Sequence, residues 1–213
     1  MFSAIKSLPI NPVSRRYGRE HGTPIDRYYI EKFLDEHKRC IRGTVAEFAD
    51  DAYTKRFGQK VMKSIILHVN GWGENVIKAD LVTGEGISES MVDCLICTQT
   101  IQFIFELESA IKNIYRLLKK DGVALITAHG IAQISLYDYR NWGEYWRFTK
   151  MAFQKLIDAN CEGAEYEVSS YGNVKSCVSA LYGMCIEDMD ENDLTYDDEQ
   201  YPFILGVLLR RTN

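Results

Sequence analysis

The sequence VDCLIC at residues 92–97 constrains the fold most, because a short run this apolar suits a β-strand covered on both faces. In residues 106–120, which follow, leucine and isoleucine recur at spacings of three and four, as on one face of an amphipathic helix. Asp121 and Gly122 then supply a turn into a second apolar strand at residues 123–128. Two buried strands joined by a helix predict parallel pairing through a right-handed crossover.

Five further segments are typical of strands. They are TVAEF after Gly43, SIILHV at residues 64–69, NVIKA at residues 75–79, residues 165–170 and residues 201–208. Two helices are predicted near the last strands, one capped by Thr149 and running to about Ala159 and one from Val174 to Cys185. We therefore predict an α/β domain with a doubly wound, seven-stranded, mostly parallel sheet and an N-terminal helical arm. Residues 43–213 form its α/β part, and residues 1–42 are an arm and a helix that belong to the same domain.

Composition and charge disfavour two classes of binding partner, nucleic acids and membranes. A net charge of -5 disfavours general nucleic-acid binding, which depends on clustered Lys and Arg. The N-terminal segment lacks a signal-peptide pattern, and no apolar run approaches the length of a membrane span, so we expect no membrane partner. The 6 cysteines lie in apolar stretches, which favours a reducing cytoplasm. Cys94 and Cys97 would point to opposite faces of a strand, and we expect no metal site.

Several stretches carry a family resemblance. They are RRYGREHGTPIDRYYI, EFADDAYTKRFG, TQTIQFI, IYRLLKKDGVALIT, and YWRFT with YGNV. With the order of strands, they make residues 43–209 resemble class I S-adenosylmethionine-dependent methyltransferases. The resemblance narrows to a bacterial group of the methyltransferase type 11 kind, often met alongside glycosyltransferases of surface-polysaccharide pathways. It implies S-adenosylmethionine as the cofactor, bound outside the carboxyl ends of the parallel strands.

The resemblance assigns cofactor contacts to the loops after the first four strands. The implied residues are Glu47, Ala49, Asp50, Tyr53, Asn70, Asp80, Leu81, Gln99 and Thr100. The first loop contains no glycine, although this family usually places glycine there for close approach of the backbone to the cofactor. Asp80 either contacts the adenine amino group or serves as a turn or cap residue. Gln99 and Thr100 either line the methionine side of the cofactor or are ordinary loop residues.

A second set of residues is predicted to face the acceptor. It comprises Arg16, Arg19, Arg27, Tyr145, Trp146 and Arg147. The aromatic residues suit stacking on a sugar or base while a guanidinium holds an anion, or they form a seam that packs the next helix. The arm arginines either close over the site and bind phosphate or lie on an exposed arm. His129, at the end of the fifth strand, is either a general base for a hydroxyl acceptor or a structural histidine.

Three functions follow from these residues. The first is O-methylation of a small or glycan-related acceptor. The second is a protein that keeps the fold without catalysis and serves as a binding or regulatory partner, an alternative favoured by the glycine-free loop and by Asn70 in place of an acidic residue. A nicotinamide-dependent oxidoreductase is disfavoured, because no G-x-G-x-x-G opens the first helix. The arginine-rich arm is also compatible with a homodimer.

Overall fold

A computed structural model describes residues 7–71, 73 and 75–213, so residues 1–6 of the predicted arm lie outside the described part. The strands are β1 (Gly43–Phe48), β2 (Val61–His68), β3 (Val76–Lys78), β4 (Val92–Thr98), β5 (Leu118–His129), β6 (Glu165–Tyr171) and β7 (Ile204–Arg210). The α-helices are α1 (Ile25–Glu36), α2 (Ala52–Phe57), α3 (Leu107–Leu117), α4 (Leu136–Asn141), α5 (Lys150–Asn160), α6 (Val174–Leu181) and α7 (Glu191–Thr195).

The seven strands form one sheet in the order β3-β2-β1-β4-β5-β7-β6. The first five strands pair in parallel, whereas β7 runs antiparallel between β5 and β6. The strand order reverses between β1 and β4, which is the point at which open α/β sheets bind ligands. The predicted seven-stranded, mostly parallel sheet is therefore confirmed.

Each face of the sheet buries its own core. Cys97 of β4 packs in one apolar cluster with Ile111 and Ile114 of α3, whereas Cys94 packs in the other with Ile30 and other residues of α1. The alternation follows from the pleat, which turns successive side chains to opposite faces. It confirms that Cys94 and Cys97 point apart, and it explains why VDCLIC is apolar on both sides.

Three element boundaries differ from the sequence prediction. Helix α3 passes directly into β5 at Leu118, so Asp121, with a φ of 62°, lies inside the strand as an irregularity and not before it. Helix α6 ends at Leu181, short of the predicted Cys185. The last strand begins at Ile204, three residues later than predicted. Helix α5 is as expected, since the Thr149 side chain accepts from the Ala152 backbone amide and caps it.

The described part of the arm is fastened to the turn after α6. The Val13 amide donates to the Tyr182 carbonyl at 2.8 Å, and Ser14 Oγ accepts from the amides of Arg16 and Gly18. Gly18 has a φ of +80°, and a Cβ there would lie 2.9 Å from the Met184 carbonyl oxygen. Glycine therefore permits both the turn and the close approach of the arm to the domain. In the described chain, no helix combines the length and apolarity needed to cross a bilayer.

Candidate active site

A cleft of about 1630 Å³ opens at the carboxyl ends of β1, β2, β4 and β5. The loops after β1, β2, β3 and β4 line one part of it, and the arm with the end of β5 and the segment between β5 and α5 lines the other. Single-ligand pockets usually measure roughly 300–1,000 Å³. The cleft therefore has room for two small ligands.

Glu47, the next-to-last residue of β1, holds the start of α2. Its carboxylate accepts from the Tyr53 amide at 3.1 Å and from the Thr54 amide and hydroxyl at 2.7 Å each. Glu47 is 2% exposed. Burial raises the pKa of its carboxyl, and the hydrogen bonds from Thr54 and Tyr53 oppose that rise. These bonds satisfy helix amides that would otherwise lack partners, so Glu47 shapes the first loop from within.

Ala49 takes the place of a glycine in that loop. Its φ of 76° lies in the left-handed region, and its amide donates to the Leu67 carbonyl of β2 at 3.0 Å. The loop therefore keeps a glycine-like backbone although the residue has a Cβ. Next to it, Asp50 accepts from the Ala52 amide at 2.9 Å and lines the cleft.

Replacing Ala49 by glycine is expected to raise the free energy of unfolding by about 0.5–1 kcal/mol, because glycine adopts a positive φ without a Cβ clash. Thermal melts should show a midpoint higher by about 1–4 °C. Ala52→Gly is the matched control, since Ala52 opens α2 and the same change there should lower the midpoint. A lower midpoint for Ala49→Gly would contradict strain at this position.

The loops after β2 and β3 bring His68, Asp80 and Leu81 to the cleft, but not Asn70. Asn70 does not line the cleft as expected: among these residues the lining ends at Val69, and the Asn70 amide donates back to His68 Nδ1 at 3.0 Å. Asp80 Oδ1 accepts from the Val82 amide at 2.7 Å. Asp80 thus makes a turn and also lines the cleft. Its contact with the adenine amino group stays a prediction.

After β4, two glutamines form a chain of hydrogen bonds into the cleft. Gln99 donates from Nε2 to Thr127 Oγ1 at 3.3 Å and accepts at Oε1 from Gln102 Nε2 at 2.9 Å. Gln102 is 1% exposed, and its Oε1 has no hydrogen-bond partner within the described chain. Thr100 also lines the cleft, with its hydroxyl bonded to the Thr98 carbonyl. A buried, unpartnered oxygen at a cleft wall suits a ligand that donates a hydrogen bond.

His129 lies across the cleft beside Asp26 of α1. Its Nε2 is 3.9 Å from Asp26 Oδ2, too far for a hydrogen bond. Asp26 Oδ1 and both imidazole nitrogens have no hydrogen-bond partner in the described structure. Burial lowers the pKa of His129 to about 4, and the Asp26 carboxylate opposes that shift. His129 is therefore neutral near pH 7 and has a lone pair to accept a proton.

The arm also brings an aromatic ring to His129. The ring of Tyr17 is parallel to the imidazole, with centroids 6.4 Å apart, and burial raises the pKa of its phenol to about 12. Arg27 of α1 donates from Nη1 to the Tyr53 hydroxyl at 2.8 Å. Burial acts to lower the pKa of Arg27, but Asp26, Tyr53 and Glu31 outweigh it. Arg27 thus lines the cleft as a cation that is already bonded to α2.

Arg147 and Trp146 do not line the cleft, which corrects their predicted contact with an acceptor. Arg147 donates to the carbonyls of Ala132 and Gln133 and, at 2.6 Å, to Glu144 Oε1. Trp146 Nε1 donates to the Ile104 carbonyl at 2.9 Å. The guanidinium of Arg147 and the indole N–H of Trp146 thus already donate hydrogen bonds within the protein. They fix the loops that border the acceptor side, so their effect on a ligand is indirect.

Tyr145, by contrast, belongs to an exposed aromatic wall of the cleft. Its ring meets that of Phe105 edge to face, with centroids 5.4 Å apart, and Trp142 similarly meets His68 at 6.2 Å. Tyr137 completes this wall and is 72% exposed. The aromatic wall, defined as Phe105, Tyr137, Trp142 and Tyr145, leaves ring surface uncovered beside the cleft. Such uncovered apolar surface is typical of a binding site.

Among the cleft residues that the sequence analysis missed are Tyr17, Asp26, His68 and Gln102. Asp26 lies in the first turn of a helix, where a carboxylate is ordinarily assigned to the helix dipole. Gln102 lies in the stretch TQTIQFI, whose resemblance to the family was the available signal. Tyr17 and His68 offered no pattern that separated them from loop residues.

One group of possible metal ligands occurs among the described residues, away from the cleft. Cys185 Sγ donates to Asp188 Oδ2 at 3.0 Å, and His21 Nε2 is 3.6 Å from the same oxygen. Burial and the two neighbouring carboxylates raise the pKa of the Cys185 thiol to about 11. A protonated thiol that donates to a carboxylate accounts for the arrangement without an ion.

Comparison with known proteins agrees with the geometry. Residues 57–126, about a third of the chain, match the family model described as a methyltransferase domain. This segment runs from the end of α2 to β5 and so includes the strand ends after β2 and β4. No curated protein matches the sequence.

Solved methyltransferase structures share the fold. N-methyltransferase NodS from Bradyrhizobium japonicum, in complex with S-adenosylhomocysteine, is 12% identical, with a TM-score of 0.55 and 94% of each chain covered. The plantazolicin methyltransferase BamL is 12% identical, with a TM-score of 0.57 and 93% of this chain and 89% of that chain covered. A methyltransferase from Archaeoglobus fulgidus is 11% identical, with a TM-score of 0.53 and coverages of 87% and 94%.

The fold is that of class I methyltransferases, and the segment that matches the methyltransferase domain lies within it. At these low sequence identities the solved structures support only the fold, whereas the match to the methyltransferase domain supports methyltransferase activity. The chain is thus an S-adenosylmethionine-dependent methyltransferase, as the sequence resemblance predicted.

Proposed function

We propose that this methyltransferase transfers the methyl group to a hydroxyl of a small acceptor, with His129 as the general base. The observation that carries the proposal is the buried His129 imidazole, which has no hydrogen-bond partner among the described residues and lies 3.9 Å from Asp26 Oδ2. Asp26 Oδ1 is likewise buried without a partner there. A base is needed when the acceptor is a hydroxyl, because its proton must leave as the new bond forms. Glycan-related hydroxyl compounds, suggested by the sequence resemblance, are within this class.

The residues on the strand side of the cleft fit S-adenosylmethionine. Asp50, Asp80 and Gln102 offer oxygen acceptors there, and Gln102 Oε1 is buried without a partner in the described part of the chain. The ligand presents matching donors in its ammonium group, adenine amino group and ribose hydroxyls. When bound, it supplies a methyl group on a sulfonium, whose departure requires no acid. The contribution of the chain is then mainly orientation and exclusion of water.

The acceptor side supplies the proton chemistry. The neutral His129 imidazole would accept the hydroxyl proton as the acceptor oxygen takes the methyl group that the bound sulfonium would supply, with a neutral thioether as the leaving group. The imidazolium that results lies beside Asp26, whose negative charge stabilises it. Asp26 thus acts through His129 as a positioning and electrostatic residue. We infer a cytoplasmic location from the free cysteines, and a homodimer through the arm stays a proposal.

Binding of the demethylated product tests the cofactor part of this proposal. S-adenosylhomocysteine at about 100 times its dissociation constant should stabilise the fold by roughly 2.7 kcal/mol in thermal melts. Asp80→Ala should weaken its binding by about tenfold or more in calorimetric titrations, because a charged acceptor in the cleft is lost. Asp158→Ala is the control, since Asp158 of α5 accepts from the Tyr166 hydroxyl of β6 and does not line the cleft.

The hydroxyl part is tested by transfer of a labelled methyl group to matched panels of hydroxyl, amine and carboxylate compounds. Methylation confined to hydroxyl compounds is the expected result. Methylation of amines alone would contradict the role of His129. Binding without transfer to any panel would favour the non-catalytic binding protein, an alternative that the alanine in the first loop supports.

A further inference from the structure

We propose, on the basis of the proposed function, that the acceptor carries an anionic oxygen group held by Arg16 and Arg19. The unpaired cations of the cleft lie on the arm, whereas Asp26, the carboxylate beside His129, belongs to the proton-transfer pair of the proposed function. The loops after β1 and β3 contribute the carboxylates of Asp50 and Asp80, whereas the arm contributes guanidinium groups. A cationic cofactor fits the first side, and an anionic acceptor fits the second.

Arg16 and Arg19 are free to bind a ligand. Both line the cleft and are exposed, and neither guanidinium has a hydrogen bond or ion pair within the described residues. Other arginines of the cleft are already engaged, since Arg15 donates to Asn11 Oδ1 and Arg27 donates to Tyr53. Two unpaired guanidinium groups close together in the chain provide bidentate donors for a phosphate or a carboxylate.

The backbone of the arm positions these two arginines before any ligand binds. Ser14 Oγ accepts from the Arg16 amide, and Gln133 Nε2 donates to the Arg15 carbonyl at 3.1 Å. The Arg19 amide donates to the Arg16 carbonyl in a turn. A pre-ordered backbone reduces the entropy lost when an anion is bound. The arm is therefore suited to recognition and is more than an exposed extension.

The aromatic wall and the arm face the same cleft, so one acceptor can use both. The rings of Phe105 and Tyr145 offer a surface for a planar ring or the apolar face of a sugar. Glu144, which also lines this side, is neutralised by Arg147 at 2.6 Å. Asp138 on α4 lines the cleft too, next to the aromatic wall and not on the arm. The acceptor class is thus a hydroxyl compound with a planar or sugar body and an anionic group.

The test uses two pairs of probes on protein saturated with S-adenosylhomocysteine. Calorimetry compares 4-hydroxybenzoate with the neutral 4-hydroxybenzamide, and glucose 1-phosphate with glucose. We expect at least one anion to bind about tenfold tighter than its neutral partner, because charge-assisted hydrogen bonds form with the arginines. A preference in the benzoate pair indicates a carboxylate acceptor, and a preference in the glucose pair indicates a phosphate acceptor.

Variants assign the preference to the arm. The double variant Arg16→Gln, Arg19→Gln should reduce the ratio of anion affinity to neutral-probe affinity to less than about threefold, since the bidentate donors are lost. Arg39→Gln with Arg42→Gln removes the same charge at the opposite end of β1, and should leave it unchanged. The inference is overturned if no anion is preferred or bound at millimolar concentration, or if the control pair has the same effect. If S-adenosylhomocysteine still binds in those cases, only the anionic-acceptor inference is contradicted. If it does not bind, the proposed methyltransferase function is contradicted as well.

Discussion

Replacing His129 by glutamine is expected to lower the turnover number by about 10²- to 10⁴-fold, the range that general-base catalysis ordinarily contributes. Glutamine keeps a polar side chain of similar size but cannot take a proton. The measurement is the rate of methyl transfer to the hydroxyl acceptor that the panel identifies. S-adenosylhomocysteine affinity should stay within about threefold of the wild type, because His129 lies across the cleft from the residues that fit the cofactor. A rate within threefold of the wild type would contradict the assignment.

The pH profile gives the same variant a second readout. Because burial lowers the pKa of His129 to about 4, the wild-type rate should be level at neutral pH and fall only as the imidazole is protonated near pH 4. Asp26 opposes that lowering, so Asp26→Asn should move the acidic limb to still lower pH. It should also reduce the rate by roughly 10- to 100-fold, because the imidazolium loses its counter-charge. A rate loss with an unmoved pH profile would indicate a structural role for Asp26.

Stability should follow the same titration without any acceptor. The folded pKa of His129 lies below its ordinary value of 6.5, so between these values the unfolded chain binds more protons than the folded chain. The free energy of unfolding should therefore fall as the pH drops from 6.5 towards 4, by at most about 3 kcal/mol from this group. Thermal melts of His129→Gln should show a smaller loss over the same range.

Replacing Glu47 by alanine is expected to lower the free energy of unfolding by about 3 kcal/mol or more. The change leaves the amides of Tyr53 and Thr54 and the Thr54 hydroxyl without their acceptor in a buried place. Hydrogen bonds to a charged group contribute about 1.5–3 kcal/mol each, and losing one partner adds the cost of a buried, unpaired donor. For a chain of this length the melting midpoint should fall by about 6–12 °C.

Glu85→Ala is the control for that experiment. Glu85 pairs with Lys78 at 3.1 Å, and both side chains are more than half exposed, so the pair contributes little in water. S-adenosylhomocysteine should bind Glu47→Ala more weakly than the control, because the first loop loses the carboxylate that orders it. Equal melting midpoints for the two variants would show that Glu47 does not hold the loop.

The fold was largely predictable from local patterns. VDCLIC, the amphipathic helix and the apolar strand after it determined a parallel α/β core, because a strand that is apolar on both faces needs cover on both sides. The family resemblance then assigned Ala49, Asp50, Asp80 and Gln99 to loops at the carboxyl ends of those strands, and all four line the cleft. Their contacts with the cofactor stay predictions.

The tertiary structure alone decided the acceptor side. Asp26 and His129 are more than 100 residues apart in sequence, and only the packing of α1 against the sheet brings their atoms within 3.9 Å. Arg147 and Trp146 have side chains of a type that suits ligand contacts, but their N–H groups donate to loop carbonyls instead. Sequence periodicity reports which face of an element is buried, since burial has the period of the helix or strand. It carries no information on which polar groups meet across a cleft, because that depends on how distant elements pack.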